Sequence, residues 1–467
     1  MSGTFSGLNT AYSALVASRQ ALEVTGQNVA NANTAGYTRQ RANLQSVGAP
    51  SVPARYSTYQ GTGDGVKVQS IDRVTDTFLQ ARSQAENAKL GQVTAQSSAL
   101  SGLENIFSEQ DQTGISAKFT DFFTSWSGVE SNSIGSATGE SAATAVLGKA
   151  QTLVDALNSS SASISQQWTD SESGLVTSVD SANQALSSIA SLNEAIRAAT
   201  QSGSTPNELL DQRDGLVDQL AKSIGATTRP GKDGVLDVLV SGTPVVTGTS
   251  FDQLEVQGAT GVDTVGASPL KLVRNSDGYP LTVSSGSVGG QLDSLNTTLP
   301  SYQQKLDGVA STLASSVNAL HRTGFDANGN PGQDFFVSSD GSPTVTAKTI
   351  SLGISSPQQL ASSAYAGGQS DTSIATKIAG LVDDPAGAAT AYDGVVVALG
   401  TESKGAQDKL AMQTSVAQTA VDALTSVNGV DTDEEMTNLL AYQRSYQAAA
   451  KVVSTIDSTL ESLINMI

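Results

Sequence analysis

The sequence predicts a mainly α chain with inserted β segments: an elongated, multi-domain protein with terminal coiled-coil helices, a helical-bundle domain and a small outer β-rich domain. Three observations carry this expectation. Apolar residues step by three and four without a fault from Leu439 to Ile467. A long proline-free helical pattern covers residues 142–201. After Gly225 the apolar period switches from helical to two, the spacing of strands.

The C-terminal pattern is Leu439, Tyr442, Tyr446, Ala449, Val453, Ile456, Leu460, Leu463 and Ile467. Its period of 3.5 is that of a left-handed coiled coil. Asp431, Asp433, Glu434 and Glu435 precede it, where carboxylates suit a helix N-terminus. So narrow a stripe needs a partner helix, because helices draw most of their stability from packing. The other chain end offers one. There the same steps give Phe5, Leu8, Tyr12, Leu15, Leu22 and Val29, with faults at Arg19 and Gly26. These two sets of seam residues, Ala449 apart, form the candidate assembly interface. Two terminal helices docked on one globular core is the plainer alternative.

Between the ends, Gly36 after an Asn-rich run stops the first helix. Val66, Val68 and Ser70 alternate as a short strand. Helical periodicity resumes at Ile71, Val74 and Phe78 and runs to about residue 107. The cluster Phe119, Phe122, Phe123 and Trp126 reads as core. Thr205-Pro206-Asn207-Glu208 reads as a capping box opening a helix that ends at Gly225. Strands are expected within 235–246 and 254–256, and a hairpin turns at Asn275-Ser276-Asp277-Gly278. Helix returns over 291–322 and 386–427, with short strands expected within 334–337 and 344–352. The expected domains are 1–37 with 431–467 as the terminal assembly domain, 38–225 with 289–325 and 386–430 as the helical bundle, and 226–288 with 326–385 as outer β-rich insertions.

Composition limits the chemistry. The 467 residues carry a net charge of -19, with 5% aromatic and 15% charged residues. Such a chain does not neutralise phosphates, so neither nucleic acid nor an anionic membrane is an expected partner. It contains no cysteine, which leaves no disulfides and no thiolate metal sites. One histidine, His321, ends a predicted helix, where a cation would suit the dipole. Asp326-Ala327-Asn328-Gly329-Asn330 opens like a calcium loop and fails at Pro331 and Val337. Gly61-Thr62-Gly63-Asp64-Gly65 has the wrong spacing for a phosphate loop. Asp211, Asp214 and Asp218 share a helix face and read as solvated. No catalytic residue, cofactor or metal ligand is expected, although two carboxylates alone would suffice for glycoside hydrolysis. No apolar run spans a bilayer, and the N-terminus lacks the features of a cleaved signal.

The end motifs are more specific than a generic coiled coil. Asn28-Val29-Ala30-Asn31-Ala32-Asn33-Thr34-Ala35-Gly36-Tyr37 resembles the signature closing the first helix of bacterial flagellar rod, hook and hook-associated proteins. Residues 434–448, from Glu434-Glu435-Met436 to Tyr446-Gln447-Ala448, resemble their C-terminal signature. Within that group, several stretches resemble the hook-associated protein 1 family: Leu192-Asn193-Glu194, Asp211-Gln212-Arg213-Asp214, Gly289-Gly290-Gln291-Leu292 and Gly332-Gln333-Asp334-Phe335-Phe336. Ala449 departs from the pattern, where many relatives have Asn. The resemblance implies a non-enzymatic junction protein of the extracellular flagellum, exported through the type III route without a cleaved signal. It implies a ring polymer of the chain itself, with hook protein, a second hook–filament junction protein and a cytosolic export chaperone as partners. A hook or rod axial protein is the alternative within the group. A secreted enzyme with a catalytic outer domain, or a cytoplasmic coiled-coil scaffold, would be the alternatives outside it.

Overall fold

The computed structural model describes residues 2–48, 63, 65–109, 113–132, 136–368 and 370–465. In chain order these form α1 (Ser2–Ala30), β1 (Gln40–Val47), β2 (Gly65–Arg73), α2 (Thr77–Ile106), α3 (Ile115–Glu130), α4 (Ala137–Gln201) and α5 (Asn207–Ile224). Then come β3 (Ala226–Pro230), β4 (Leu236–Val240), β5 (Thr243–Thr247), β6 (Ser250–Phe251), β7 (Leu254–Gln257), β8 (Lys271–Arg274) and β9 (Pro280–Leu281). The chain closes with α6 (Gly286–Asp293), α7 (Leu299–His321), β10 (Phe336–Ser338), β11 (Ile350–Leu352), α8 (Ser373–Ala379), α9 (Ala388–Asn428) and α10 (Thr432–Ile464). The fold is mainly helical with small antiparallel sheets, as the periodicities predict. It divides into two compact units, residues 1–88 with 182–253 and 415–467, and residues 89–181 with 254–414.

In the first unit α1 packs on α10 and on the β1–β2 hairpin. The helix pair is antiparallel, since Asn28 meets Glu435 at one end and Gly7 approaches Ile456 at the other. The buried or part-buried seam of α1 is Ala11, Ala14, Ser18, Ala21, Thr25 and Asn28, one position away from the bulky stripe read from the sequence. Gly65 (φ +100°) lets the hairpin close on α1, where a Cβ would overlap Ser13, and the Val66 N–H donates to Ser13 Oγ at 3.2 Å. Ile71 lies in β2, and α2 begins only at Thr77, so the helical period read from Ile71 and Val74 is overruled by pairing with β1. The strand β1 itself carries no alternation that announces it.

The same unit holds the β3-β4-β5-β6 meander, following α5. Gly225 (φ +63°) ends α5 in the left-handed conformation, as expected. Ser241 and Gly242, both at positive φ, form the tight turn joining β4 to β5. The run 226–288 thus supplies two separate sheets, the second being β7-β8-β9 in the other unit. There the predicted hairpin turn holds Gly278 at φ +67°, with Arg274 bound to Asp277 and lying over the Tyr279 ring.

The second unit packs around α3, whose Phe119, Phe122, Phe123 and Trp126 are all buried. Phe335 and Phe336 pack against Phe122 and Trp126 at ring separations of 5.5–5.8 Å, and edge-on to each other at 4.8 Å. The predicted helix over 291–322 forms with one irregularity, a π turn at Ser294–Thr298 between α6 and α7. Pro300 follows it closely and offers no N–H to a regular ladder. In this turn Asn296 receives the Leu270 N–H and donates to the Leu270 carbonyl. Glycines of the sequence motifs mark close contacts: a Cβ on Gly290 would overlap the Gln92 carbonyl, and one on Gly332 the His321 carbonyl.

His321 corrects the dipole reading. It is fully buried and edge-on to Trp126 and Phe335. Its Nε2 accepts the Ala361 N–H at 2.9 Å, which fixes the tautomer and leaves Nδ1–H to donate to the Gln333 carbonyl at 2.6 Å. Burial pushes its pKa below the ordinary 6.5, against the opposing Gln333 carbonyl and Asp334 charge. The unfolded imidazole therefore takes up a proton before the folded one does. The stability this ring confers is complete above pH 6.5 and is lost as pH falls through the lowered folded value. Thermal melts from about pH 7.5 to about 5.5 should show the second unit weakening toward acid, and His321→Gln should flatten that slope. An unchanged slope in the variant would remove His321 as its cause.

The calcium-like loop is a turn. Asp326 Oδ1 accepts the N–H groups of Asn328 and Asn330, both at 2.8 Å, and Gly329 sits at φ +79°. Among the described residues no cluster of His, Asp or Glu could hold a metal ion.

Candidate functional site

The N-terminal and C-terminal sequence motifs, 407 positions apart at their point of contact, meet in one buried polar clasp. Asn28 and Glu435, 1% and 2% exposed, stand at its centre. Asn28 Oδ1 accepts the Gln40 N–H at 3.0 Å and the Tyr37 hydroxyl at 2.9 Å. Its Nδ2 donates to the Gln40 carbonyl at 2.8 Å and to Glu435 Oε2 at 3.1 Å. Every hydrogen-bonding capacity of that amide is used. Arg39 grips Glu434 with both terminal nitrogens, at 3.0 and 2.6 Å, and holds Glu435 through Nε at 2.9 Å. Its hydrogen bond to Glu434 raises the guanidinium pKa, although burial works against it. The Arg39 N–H donates to the Asn428 carbonyl at 2.9 Å, tying β1 to the joint between α9 and α10.

A second network anchors the clasp to α5. Arg73 at the end of β2 pairs with Asp211 at 2.6 Å and Asp214 at 2.8 Å. Burial opposes its charge, yet the two carboxylates hold its pKa above the ordinary arginine value. Asp211 also receives the Thr38 N–H at 3.2 Å, and Asp218 receives Gln84 at 2.9 Å. The solvated reading is thus overturned for Asp211 and Asp214, which are part-buried against Arg73, while Asp218 stays exposed beside its Gln84 partner; these partners lie 134–173 positions away in sequence, beyond the reach of local pattern. The capping box fails for a similar reason. Pro206 stands where the cap should be, without a side-chain cap bond, and Asn207 donates instead to Gln40 Oε1 at 3.0 Å and the Ile71 carbonyl at 2.9 Å.

Beside the clasp lies a cavity of about 770 Å³, lined among others by Tyr37, Asp76, Asp211, Asp218 and Asn428. Burial first, then the charges of Asp211, Glu208 and Glu435, pushes the Tyr37 pKa up to about 12. The hydroxyl stays protonated and donates to Asn28 at any physiological pH.

Arg213 and Asn193 lock the β3–β6 sheet to α4 and α5. Asn193 is fully buried; its Nδ2 donates to the Leu236 and Gly248 carbonyls at 2.8 and 2.7 Å. Its Oδ1 accepts the Leu236 N–H at 3.1 Å and Arg213 Nη1 at 3.0 Å. Arg213 also donates to the Gly234 carbonyl at 2.7 Å, and burial lowers its pKa.

Along α10 the seam positions Leu439, Tyr442, Tyr446, Val453, Ile456 and Leu460 are part-buried and Ala449 is buried, while their neighbours, Asn438 and Ala450 apart, face solvent. On α1, Leu8, Leu15, Leu22 and Val29 are part-buried and Tyr12 is 62% exposed. Leu8, Asn9, Tyr12 and Val453 line an open groove of about 360 Å³. The side chains of Phe5 and Leu463, and the whole of Ile467, fall outside the described residues. The sequence motifs pointed to Asn28, Asn193 and Arg213 only as parts of matching stretches, and their contacts were not legible in it.

Among the described residues no helix is long and apolar enough to cross a membrane. Residues 100–336 match the family model described as "Flagellar hook-associated protein FlgK helical domain". Residues 423–466 match "Flagellar basal body rod FlgEFG protein C-terminal", and residues 8–38 match "Flagella basal body rod protein". The chain is 31% identical to flagellar hook-associated protein 1 of Bacillus subtilis (strain 168), over 100% of its own length and 99% of that protein. It is 29% identical to flagellar hook-associated protein 1 of Escherichia coli (strain K12), over 74% of this chain and 62% of that longer protein. The fold is similar to the solved flagellar hook junction protein FlgK from Burkholderia pseudomallei, with a TM-score of 0.65 at 18% identity, covering 74% of this chain and 100% of that one. Near-complete coverage of one relative, together with a family-specific helical domain flanked by the two shared end motifs, shows that the chain belongs to the flagellar hook-associated protein 1 family, structural junction proteins of the bacterial flagellum and not enzymes.

Proposed function

We propose that this chain polymerises as a ring that joins hook to filament and allows flagellin assembly. The observation that carries this reading is the pairing of α1 with α10, which leaves an apolar stripe open beside their shared seam. A second copy of the chain is the occupant of that stripe, so that the paired ends, 1–37 with 431–467, form the inner assembly domain. The candidate interface is the full set of seam residues on both helices, Phe5, Leu463 and Ile467 included. Hook protein would lie on one side of the ring and a second junction protein on the other. The net charge of -19 gives no reason to add nucleic acid or membrane to these partners. The chain would act outside the cell after export without a cleaved signal. Electron microscopy of hooks from a strain lacking this chain tests the role: bare hooks and unpolymerised flagellin in the medium are expected, and filaments of normal length would overturn it.

Before export, α10 exposes Met436, Leu440 and Val452 in addition to its seam, an apolar surface liable to premature association. A cytosolic export chaperone would cover it. A chain ending at residue 430 should lose chaperone capture from cytosol, and undiminished capture would place the chaperone elsewhere.

A further inference from the structure

The clasp occupies the heptad itself. Counting back from Leu439 by four places Glu435 on the α10 seam, and Asn28 completes the α1 seam after Ala21 and Thr25. The two observed contacts, Asn28 with Glu435 and Gly7 with Ile456, belong to one register, because each pair of residue numbers has the same sum. The two contacts lie three heptads, or about six helical turns, apart along the seam, and both ends of the pair agree.

Between those contacts the α1 seam is almost featureless. Ala11, Ala14, Ser18, Ala21 and Thr25 differ little in volume, so a slip of one heptad would leave the apolar contacts nearly as good. What a slip would not leave intact is Glu435. It would face Ala21, and a buried carboxylate would lose its amide donor. Asn28, meanwhile, is held rigid by two bonds to the Gln40 backbone, so it presents its remaining N–H in one direction only.

We infer that the Asn28–Glu435 pair, backed by Arg39, is the register pin of the terminal helix pair: it selects one alignment of α1 on α10 out of several that the small-residue seam would accept. Buried polar pairs at heptad positions select register by penalising the alternatives. The inference concerns contacts within one chain and is separable from ring formation.

The absence of cysteine from the chain makes the test direct. In the full chain, Gly7→Cys with Ile456→Cys reports the observed register, and Gly7→Cys with Ala449→Cys reports a slip of one heptad. Disulfide formation under mild oxidation is read for each pair in three backgrounds, with circular dichroism following helix content. The unaltered background should give the 7–456 cross-link and almost none at 7–449. Glu435→Leu, which keeps the seam apolar, should yield the 7–449 cross-link, and the ratio of the two should fall about tenfold or more. Glu435→Gln, which keeps an acceptor for Asn28, should restore the original ratio. The inference is overturned if Glu435→Leu still cross-links only 7–456, since the flanking chain would then set the register. It is overturned equally if Glu435→Leu gives neither cross-link, if Glu435→Gln slips as the leucine variant does, or if the unaltered background lacks the 7–456 bridge.

Discussion

Replacing Ile456 and Leu460 together with alanine abolishes ring assembly while the second unit melts as before. Both side chains lie on the α10 seam, part-buried in the single chain and more deeply so in the proposed ring. A fully buried aliphatic side chain contributes about 1.5–3 kcal/mol, and its truncation adds the cost of the cavity left behind. Two losses in every subunit lower an association constant by about two to four orders of magnitude. Cells should release unpolymerised flagellin and carry bare hooks. Normal filaments from the double variant, with its monomer melting unchanged, would show that the seam is not the assembly element.

Replacing Asn193 with alanine destabilises the first unit more than any surface change would. The side chain satisfies the Leu236 N–H, two carbonyls and the buried Arg213 guanidinium. Alanine leaves all four short of a partner, with Gly234 alone still receiving Arg213. Stranding buried polar and charged groups in this way costs about 3–5 kcal/mol, which lowers the melting temperature of a unit of this size by about 10 °C. Asn193→Asp keeps the acceptor for Arg213 and strands only the carbonyls, so it should fall between alanine and the unaltered chain. Calorimetry decides it: a loss of less than about 2 °C for Asn193→Ala would mean that water replaces the side chain without penalty.

The α10 seam was legible because bulky residues recur on it without a fault, and bulk is what periodicity detects. The aromatic core of α3, the stop at Gly225 and the turn at Gly278 were legible for equally local reasons. The α1 seam was not. The residues of that seam are Ala, Ser, Thr and Asn, which carry little hydropathic signal, while the conspicuous Leu8, Leu15 and Leu22 and the buried Val24 stand to the side of it. Asp211 and Asp214 look like any solvated helix face until β2 brings Arg73 against them across more than a hundred residues. Asn207 shows the same limit. Four residues of sequence spell a capping box, and a tertiary partner takes the side chain instead.

Contacts of unequal sequence span also order the folding of the chain. Asn193 finds Leu236 across 43 positions, and Arg213 finds Gly234 across 21, so these joints can close early in synthesis. The clasp joins residues 407 positions apart and cannot begin to form until Glu435 has left the ribosome. Nascent α1 therefore spends nearly the whole of translation without its partner. The strip of α1 that Glu435 and the rest of α10 will cover is built of alanine, serine and threonine, and such small side chains offer little for premature contacts to hold.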